Sequence, residues 1–423
     1  MRSEDELIGA LQSAATRAPE EGDLLADIAR RRRRRSRRRA QALAVAAVVV
    51  ISVGAAGVRG VFSGADGGRV AAPPSGRVAA PPSGDSTATA AVLSPSPATT
   101  RTLVPRAGEQ GVAAAELWPE AVFTMPAKNA DGWRYRPVTS ISATEVLLSA
   151  DSSFEKPGKF EVYDSSTGTS RVVTTVPRTP GLDGYIPQTA GTDGRTLTWF
   201  AYGEKDDVPV REIWAVPLAG GEPELLGTFT GEHAQMDAIG VDGEHVYWSE
   251  RSGGVWRIPV TGGAAAQVPG SDGLHLLKWP YAVDVASPED PDRNQSKLVD
   301  LASGQTTVIT APPAAKSLRC GISWCAGDGE QGPFAQRLDG TGTIRLTDRF
   351  TFRMVEFPIL DRFLNAGATI YDSATGKLAE IGIGQGSKMY GTGTSSEPST
   401  IAYWNGEPGT FKVLNLAAVP PAQ

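Results

Sequence analysis

A two-strand unit that turns on a glycine recurs six times between residues 160 and 382, and it restricts the fold more than any other feature. Short β-branched and aromatic runs flank the turn, as in VYDSSTG (162–168) and IYDSATG (370–376). The turn glycines are spaced by 53, 42, 41, 36 and 36 residues, and they are Gly168, Gly221, Gly263, Gly304, Gly340 and Gly376. A second strand pair precedes the copies. Four strands in each unit of about 40 residues predict an all-β β-propeller.

The number of blades follows from the two ends of the predicted propeller domain, residues 112–423. The chain ends on FKVLNLA (411–417), a third blade strand without room for a fourth, and a lone strand stands in 115–126. We expect Ala121–Met125 to complete the last blade, because closure removes the exposed edges of an open array. Seven blades are predicted. Six or eight stay open, because the first and longest spacing leaves room for an irregular unit.

Three tryptophans occupy equivalent strand positions in different units: Trp199, Trp248 and Trp404. Their recurrence with the blade period is typical of packing between blades, where large aromatic surfaces are buried. We therefore predict packing rather than a ligand site for them.

Cys320 and Cys325 are the two cysteines of the chain. On one straight strand they would lie about 17 Å apart, too far to bond. Aligned with the neighbouring unit, Gly321–Trp324 becomes a hairpin turn that sets the two cysteines opposite each other. The hypothesis is a structural disulfide, which an oxidising exterior permits. A metal or redox role is not favoured, since no histidine stands nearby.

The N-terminal region combines a basic block with an apolar stretch, Ala40–Val58. Nineteen uncharged residues can cross a bilayer, and flanking arginines keep their side cytoplasmic. This predicts a membrane anchor with the propeller outside. A cleaved signal peptide is the alternative, and a soluble chain whose arginines bind nucleic acid is disfavoured by the apolar stretch. The residues that set the predicted topology are Arg30, Arg31, Arg32, Arg33, Arg34, Arg35, Arg37, Arg38 and Arg39.

The sign of the net charge changes just after the apolar stretch. Residues 1–60 hold twelve basic and seven acidic residues, a net of +5, and the remainder holds 29 and 40, a net of −11. An acidic outer domain is not expected to bind nucleic acid. Between the two parts, residues 59–111 are rich in Pro, Gly, Ser and Ala and repeat GRVAAPPS in tandem. Such a composition predicts a disordered, extended linker.

The cytoplasmic head, residues 1–39, contains two short amphipathic helix patterns that begin near Ser3 and Asp23. Helices this short cannot bury a core by themselves, so their apolar faces need a partner or the membrane surface. A topogenic tail without a partner and a docking segment for a cytoplasmic regulatory protein both stay open.

At the repeats, and above all at the VYDSSTG and IYDSATG turns, the chain resembles the TolB-like and WD40-like propellers over about 300 residues. That resemblance implies binding of proteins or small ligands more often than catalysis. The order of head, span, linker and propeller also resembles bacterial membrane proteins found beside regulatory sigma factors. This second resemblance implies an anti-sigma role for the head.

The sequence offers no motif for catalysis. No HExxH, GxSxG or P-loop pattern occurs, and the three histidines come from neighbouring blades. Residues 290–294 alternate oxygen-bearing side chains like a calcium loop but lack its central glycine and final glutamate. We therefore predict no catalytic, cofactor-binding or metal-ligating residue.

Acidic residues cluster in the loops between the second and third strands of the blades, which share one face of a propeller. We name them the acidic rim, a candidate docking surface for a cationic or polyhydroxylated partner: Glu204, Asp206, Asp207, Glu289, Asp290, Asp292, Asp328 and Glu330. Ordinary solubility is the competing interpretation.

The leading function predicted for the whole chain is a tethered, non-enzymatic binding module. The alternative is a carbohydrate-active hydrolase or lyase with carboxylates in the central pocket.

Overall fold

The strands that the structure describes form seven sheets around a ring. The structure, a computed structural model, describes residues 101–102, 112–152, 158–285, 293–330, 332–346, 357–365, 368–382 and 390–422. They belong to one compact unit, Ala91–Gln423. The predicted seven-bladed β-propeller is confirmed, and the resemblance to TolB-like and WD40-like propellers holds at the level of the fold.

The elements before the first blade are β1 (Arg101–Thr102), β2 (Val112–Ala113), helix α1 (Ala114–Leu117), a 3-10 turn (Pro119–Ala121) and β3 (Val122–Pro126). Blades 1 to 3 contain β4 (Arg134–Ser140), β5 (Glu145–Asp151), β6 (Lys159–Asp164), β7 (Thr169–Thr175), β8 (Asp183–Thr192), β9 (Thr196–Lys205), β10 (Val208–Pro217), β11 (Glu224–Thr230), a 3-10 turn (Gly231–Ala234), β12 (Met236–Val241), β13 (His245–Glu250), β14 (Val255–Pro259) and β15 (Ala266–Gln267). Blades 4 to 7 contain β16 (His275–Lys278), β17 (Tyr281–Val283), β18 (Lys297–Asp300), β19 (Gln305–Val308), β20 (Lys316–Cys320), β21 (Trp324–Gly329), β22 (Gly332–Arg337), β23 (Ile344–Arg345), β24 (Phe363–Asn365), β25 (Thr369–Asp372), β26 (Lys377–Glu380), β27 (Tyr390–Thr392), β28 (Ile401–Asn405), β29 (Thr410–Asn415) and a last 3-10 turn (Leu416–Ala418).

Each blade is an antiparallel sheet whose strands follow one another from the innermost to the outermost. Blades 1 to 5 take four consecutive strands each from β4 to β23, blade 6 takes β24 to β26, and blade 7 takes β27 to β29. Two early strands cover outer edges in parallel orientation: β1 pairs with β23 of blade 5, and β2 pairs with β26 of blade 6.

The pairing of β1 departs from the expected extent of the linker. Composition predicts a disordered linker over residues 59–111, but Arg101–Thr102 lie beside Ile344–Arg345 as a fifth strand. The outer strand of a blade has unpaired backbone N–H and C=O groups, and any extended segment can satisfy them whatever its side chains. Composition therefore does not reveal this pairing.

Hydrophobic residues fill the spaces between blades, because both faces of every blade pack on a neighbour. β13 shows the consequence: five of the six residues in HVYWSE are buried, without period-two alternation. The buried residues form seven clusters, and each joins two successive blades. Trp199, Trp248 and Trp404 lie in three of these clusters at 0–1% exposure, so the predicted packing role is confirmed.

The ring closes between the two ends of the domain. β3 pairs with β29 in antiparallel register, with Met125 opposite Phe411 and Val122 opposite Leu414. Met125 packs in the cluster that joins blade 7 to blade 1, together with Tyr135, Val146 and Ile401. The prediction that this segment completes the last blade is confirmed, although residues 114–117 before it are helical.

An aspartate four residues before the turn glycine explains the recurring motif. In three blades the glycine N–H donates to the aspartate carbonyl: Gly168 to Asp164, Gly304 to Asp300 and Gly376 to Asp372. The glycines have φ values of 72°, 75° and 71°, a left-handed conformation that costs glycine little. The Asp164 carboxylate accepts hydrogen bonds from the Ser166 hydroxyl and N–H, which hold its pKa below the ordinary value.

The disulfide predicted from the hairpin alignment is present. Cys320 and Cys325 are direct partners on β20 and β21, with their Cα atoms 3.8 Å apart. Both are fully buried between blades 4 and 5, and the Gly321 N–H donates to the Trp324 carbonyl across the turn. The bond therefore ties the first hairpin of blade 5.

Because β3 closes the ring, we predict that truncating Met125 strongly lowers the stability of the domain. Met125→Ala should lower the free energy of unfolding by about 2–5 kcal/mol, because it opens a cavity between the first and last blades. The matched control is Thr124→Ala on the same strand, whose side chain is exposed; we expect it to change stability by less than about 0.5 kcal/mol. Denaturant unfolding of the purified full-length chain measures both. Equal stability of the two variants would contradict closure through β3.

We predict that removing the disulfide lowers the stability of the domain by a smaller amount. Cys320→Ala/Cys325→Ala should lower the free energy of unfolding by about 2 kcal/mol, because the bond closes a short loop in the unfolded chain. Wild-type protein treated with a thiol reductant is the control and should unfold at the same denaturant concentration as the variant. Free thiols on both cysteines in exported protein, detected by mass spectrometry after alkylation, would reject the bridge.

Candidate functional site

One loop lies across the centre of the ring. It is Gly393–Thr400 between β27 and β28, and we name it the channel loop. The corresponding connections in blades 1 to 5 have two to four residues, whereas this one has eight. Its extra length therefore extends from blade 7 into the space between the innermost strands.

Hydrogen bonds attach the channel loop to the innermost strands of three successive blades. The Ser399 hydroxyl donates to the Val138 carbonyl of blade 1 at 2.7 Å, and the Ser396 N–H donates to the Ala190 carbonyl of blade 2 at 2.8 Å. The Ile239 N–H of blade 3 donates to the Ser396 hydroxyl at 2.6 Å. At Gly393 the loop approaches blade 1 so closely that an added Cβ would overlap the Val138 carbonyl oxygen. The loop is thus a fixed part of the channel.

The loop separates two chambers along the channel axis. The upper chamber has a volume of about 210 Å³ and lies toward the first residues of β12 and β16. The lower chamber has a volume of about 450 Å³ and lies toward the turns between first and second strands. Ser395, Glu397 and Pro398 line both.

A histidine–aspartate pair lies on the wall of the upper chamber. His275 Nδ1 lies 2.6 Å from Asp237 Oδ2, which joins blades 3 and 4, and the two side chains are 13% and 10% exposed. The Ser249 hydroxyl donates to the other oxygen of Asp237 and accepts from the Leu276 N–H at 2.9 Å. The geometry fixes the carboxylate on one side and orients the imidazole on the other.

A β-bulge places Asp237 at this position. In the pairing of β12 with β13, Met236 faces Glu250 and Ala238 faces Ser249, so Asp237 is the extra residue. Bulges redirect side chains that a regular ladder would hold in place. The innermost strands of blades 1 to 5 all show such register shifts. Irregularity is thus concentrated where the channel is lined.

Glu397 forms the partition between the chambers. Its Oε2 lies 3.3 Å from Lys278 Nζ, and its side chain is 30% exposed. Burial raises the pKa of Glu397 above its ordinary value, and the nearby Lys278 ammonium opposes that rise. The carboxyl group therefore holds its proton more strongly in the folded chain than in the unfolded chain.

The lower chamber is more apolar. Ile322 and Leu360, at 42% and 50% exposure, stand on adjacent turns at its mouth. Leu360 has a φ of 51°, a left-handed conformation that costs a leucine about 1 kcal/mol or more. Asp361 supports these turns, because its carboxylate accepts from the Ser323 N–H at 2.8 Å, next to the disulfide hairpin.

The acidic rim is distributed over separate blades. Glu204, Asp206 and Asp207 lie at the turn of blade 2, whereas Asp328 and Glu330 lie at that of blade 5, with two blades between them. Glu204 accepts a hydrogen bond from the Tyr202 hydroxyl, while Asp206 and Asp207 are exposed. Glu289, Asp290 and Asp292 fall outside the described residues. The described rim residues thus form two groups, and docking on them stays a prediction.

The other predictions concern the N-terminal region or metal binding. The topology arginines Arg30–Arg39, the span Ala40–Val58 and the head lie outside the described residues. Within the described ranges, no helix is long and apolar enough to cross a membrane. In the same ranges no group of three His, Cys, Asp or Glu side chains is arranged to hold a metal ion.

Sequence reasoning missed the channel loop and the Asp237–His275 pair. The loop had a detectable signal, since TGTSSEPST precedes the strand IAYW in place of a short hairpin turn. The pair had none: its residues are 38 positions apart and meet only because successive blades are neighbours.

The raised pKa of Glu397 predicts a pH dependence of stability. Above the ordinary pKa of glutamate, the unfolded chain releases this proton while the folded chain keeps it, so stability falls as pH rises toward the folded-state pKa. Glu397→Gln removes the titration and should gain stability relative to wild type as pH rises through this window. Glu407→Gln, at an exposed loop of the same blade, is the control. Denaturant unfolding from pH 4 upward tests this; a pH-independent difference for both variants would refute it.

Comparison with known proteins yields distant structural similarities. No family model matches the chain, and no curated protein matches it. Similar solved structures include the oligogalacturonate lyase of Vibrio parahaemolyticus, with 11% identity over 52% of this chain and 78% of that chain and a TM-score of 0.32. YCF48 bound to D1 peptide has 11% identity over 70% and 96%, with a TM-score of 0.42. BamB of Moraxella catarrhalis has 11% identity over 69% and 88%, with a TM-score of 0.33. Similarities this distant assign no function to this chain.

Proposed function

We propose that this chain is a single-pass membrane protein that carries a non-enzymatic binding propeller on the outer side of the cell membrane. The upper chamber is its ligand site. The observation that carries the binding function is the chamber itself, a small cavity with polar and apolar walls in a closed ring, fixed by hydrogen bonds from four blades. Fixed polar groups in a concave site favour recognition, because little ordering is left for the ligand to induce.

The side chains of the chamber support binding over catalysis. Asp237 is held by Ser249 and His275, and Glu397 is paired with Lys278. A binding site needs such fixed groups, whereas a covalent mechanism also needs an activated nucleophile beside the base. The structure records no hydrogen bond from His275 to a described serine, threonine or cysteine.

The membrane part of the proposal rests on the sequence. The arginine block and Ala40–Val58 anchor the chain, the first 39 residues stay in the cytoplasm, and the linker holds the propeller away from the bilayer. A buried disulfide is consistent with an oxidising exterior. Through its two amphipathic patterns the head binds a cytoplasmic regulatory protein, which would allow ligand binding to be reported inward.

A second candidate is a tethered carbohydrate-active hydrolase or lyase. The specific observation in its favour is that Asp237 and Glu397 line the same chamber in different environments, one hydrogen-bonded and one with a raised pKa. Glycosidases use such a pair, with one carboxyl protonated and the other ionised. Product release from a panel of polysaccharides, abolished in Glu397→Gln, would favour this candidate. Binding without product release favours the module.

The topology predicts which sites react with an impermeant reagent. In Ser94→Cys the thiol lies in the linker, and in Ser13→Cys it lies in the head. The native cysteines are buried in a disulfide and do not compete. We expect a membrane-impermeant maleimide to label Ser94→Cys in intact spheroplasts but Ser13→Cys only after lysis. Labelling of Ser13→Cys without lysis, or loss of the head from the mature chain, would overturn the anchored topology.

A further inference from the structure

We infer that the upper chamber binds a neutral, hydroxyl-rich ring of the size of one sugar residue, and that His275 Nε2 accepts a hydrogen bond from it. This inference rests on the proposed binding function and specifies its ligand class. Four features of the described residues carry it: the orientation of the imidazole, the charge of the lining, its division into polar and apolar parts, and its volume.

The hydrogen-bond network fixes which nitrogen of His275 faces the ligand. Asp237 accepts at Oδ2, so Nδ1 carries the proton, and in the neutral imidazole Nε2 keeps a lone pair. No described residue hydrogen-bonds Nε2, and the ring is 13% exposed on the chamber wall. Nε2 is not among the described polar atoms that the protein encloses without a partner, so it is accessible to a donor that enters the chamber. A ligand hydroxyl supplies that donor.

The charge of the lining selects a neutral ligand. Among the described residues of the wall there is no lysine or arginine, so none of them offers a phosphate, sulfate or carboxylate a cation of that kind. The two acidic side chains of the wall do not require a cationic ligand either. Asp237 is hydrogen-bonded on both oxygens, and Glu397 already has Lys278 3.3 Å away.

The lining is amphipathic, as the surface of a sugar ring is. One set of wall residues is apolar, with Leu276, Val283, Val285 and Phe357. The other set carries the hydroxyl groups of Thr392, Ser395, Ser396 and Ser399. Those of Ser395, Ser396 and Ser399 also hydrogen-bond within the protein, which fixes their directions. Sugar rings present C–H groups on their faces and hydroxyl groups at their edges. The faces of a bound ring can therefore pack on the apolar wall residues, and its edges can contact the polar ones. The volume of about 210 Å³ is below the roughly 300–1,000 Å³ of drug-sized ligand sites, which limits the ligand to about one ring.

The test uses His275→Asn in the full-length chain, purified in a detergent without a sugar headgroup. Asparagine keeps an N–H near the position of Nδ1 for Asp237 and removes the Nε2 acceptor. His245→Asn is the matched control, because His245 begins β13 and is not among the residues that line the chamber. The probes are D-glucose, D-galactose, D-mannose and myo-inositol, with D-glucuronate and ethanolamine as charged comparators. Calorimetry and saturation-transfer NMR measure binding.

We expect at least one neutral probe to bind, and His275→Asn to weaken it by about tenfold or more, since an unpaired hydrogen-bond partner costs that much. His245→Asn should leave the affinity unchanged. Denaturant unfolding separates a structural brace from a ligand contact: a brace lowers the stability of His275→Asn and leaves the affinity of the folded fraction unaltered.

Three outcomes would overturn the inference. They are equal affinity of wild type and His275→Asn, binding of only glucuronate or ethanolamine, and no binding of any neutral probe. Each leaves the proposed binding function standing. Other results would contradict the proposed binding function: Glu397-dependent release of product from polysaccharides, or a reversed topology in the maleimide experiment.

Discussion

The pairing of β3 with β29 is the contact on which the rest of the structure depends. It joins the first part of the domain to the last part by hydrogen bonds between two strands that are far apart in the sequence. It also places Met125 in the core between blades 7 and 1. Every other inter-blade core joins blades that are consecutive in the chain. Without this one the array would stay open, with two exposed sheet faces and an unpaired edge.

Closure also creates the site. A closed ring of blades leaves a central space that no single blade defines, and the channel loop from blade 7 occupies part of it. The loop can reach blades 1 to 3 only because closure makes blade 7 the neighbour of blade 1. The two chambers, and the contacts of Glu397 and Asp237 with them, therefore depend on the same strand pairing as the stability of the domain.

The parts of the molecule that follow the repeat were predictable, and the parts that depart from it were not. The turn glycines, the tryptophans between blades, the cysteine hairpin and the shared last blade all follow from local pattern and from alignment of one unit with another. The position of Asp237 depends on a bulge in β12, and a bulge depends on how two strands pair. The short strand β1 covers an edge by backbone pairing, which the composition of its segment does not reveal.

By itself, the sequence determined an all-β propeller and favoured seven blades over six or eight, because glycine turns and strand-forming runs are local properties that recur along the chain. It also determined that Cys320 and Cys325 can meet, because a hairpin is a short-range structure. Only the tertiary structure decided that Asp237 meets His275, that an eight-residue loop crosses the channel, and that the described residues of the acidic rim form two groups, on blades 2 and 5. Those arrangements join residues from different blades, and their distances are set by the closed ring rather than by spacing along the chain.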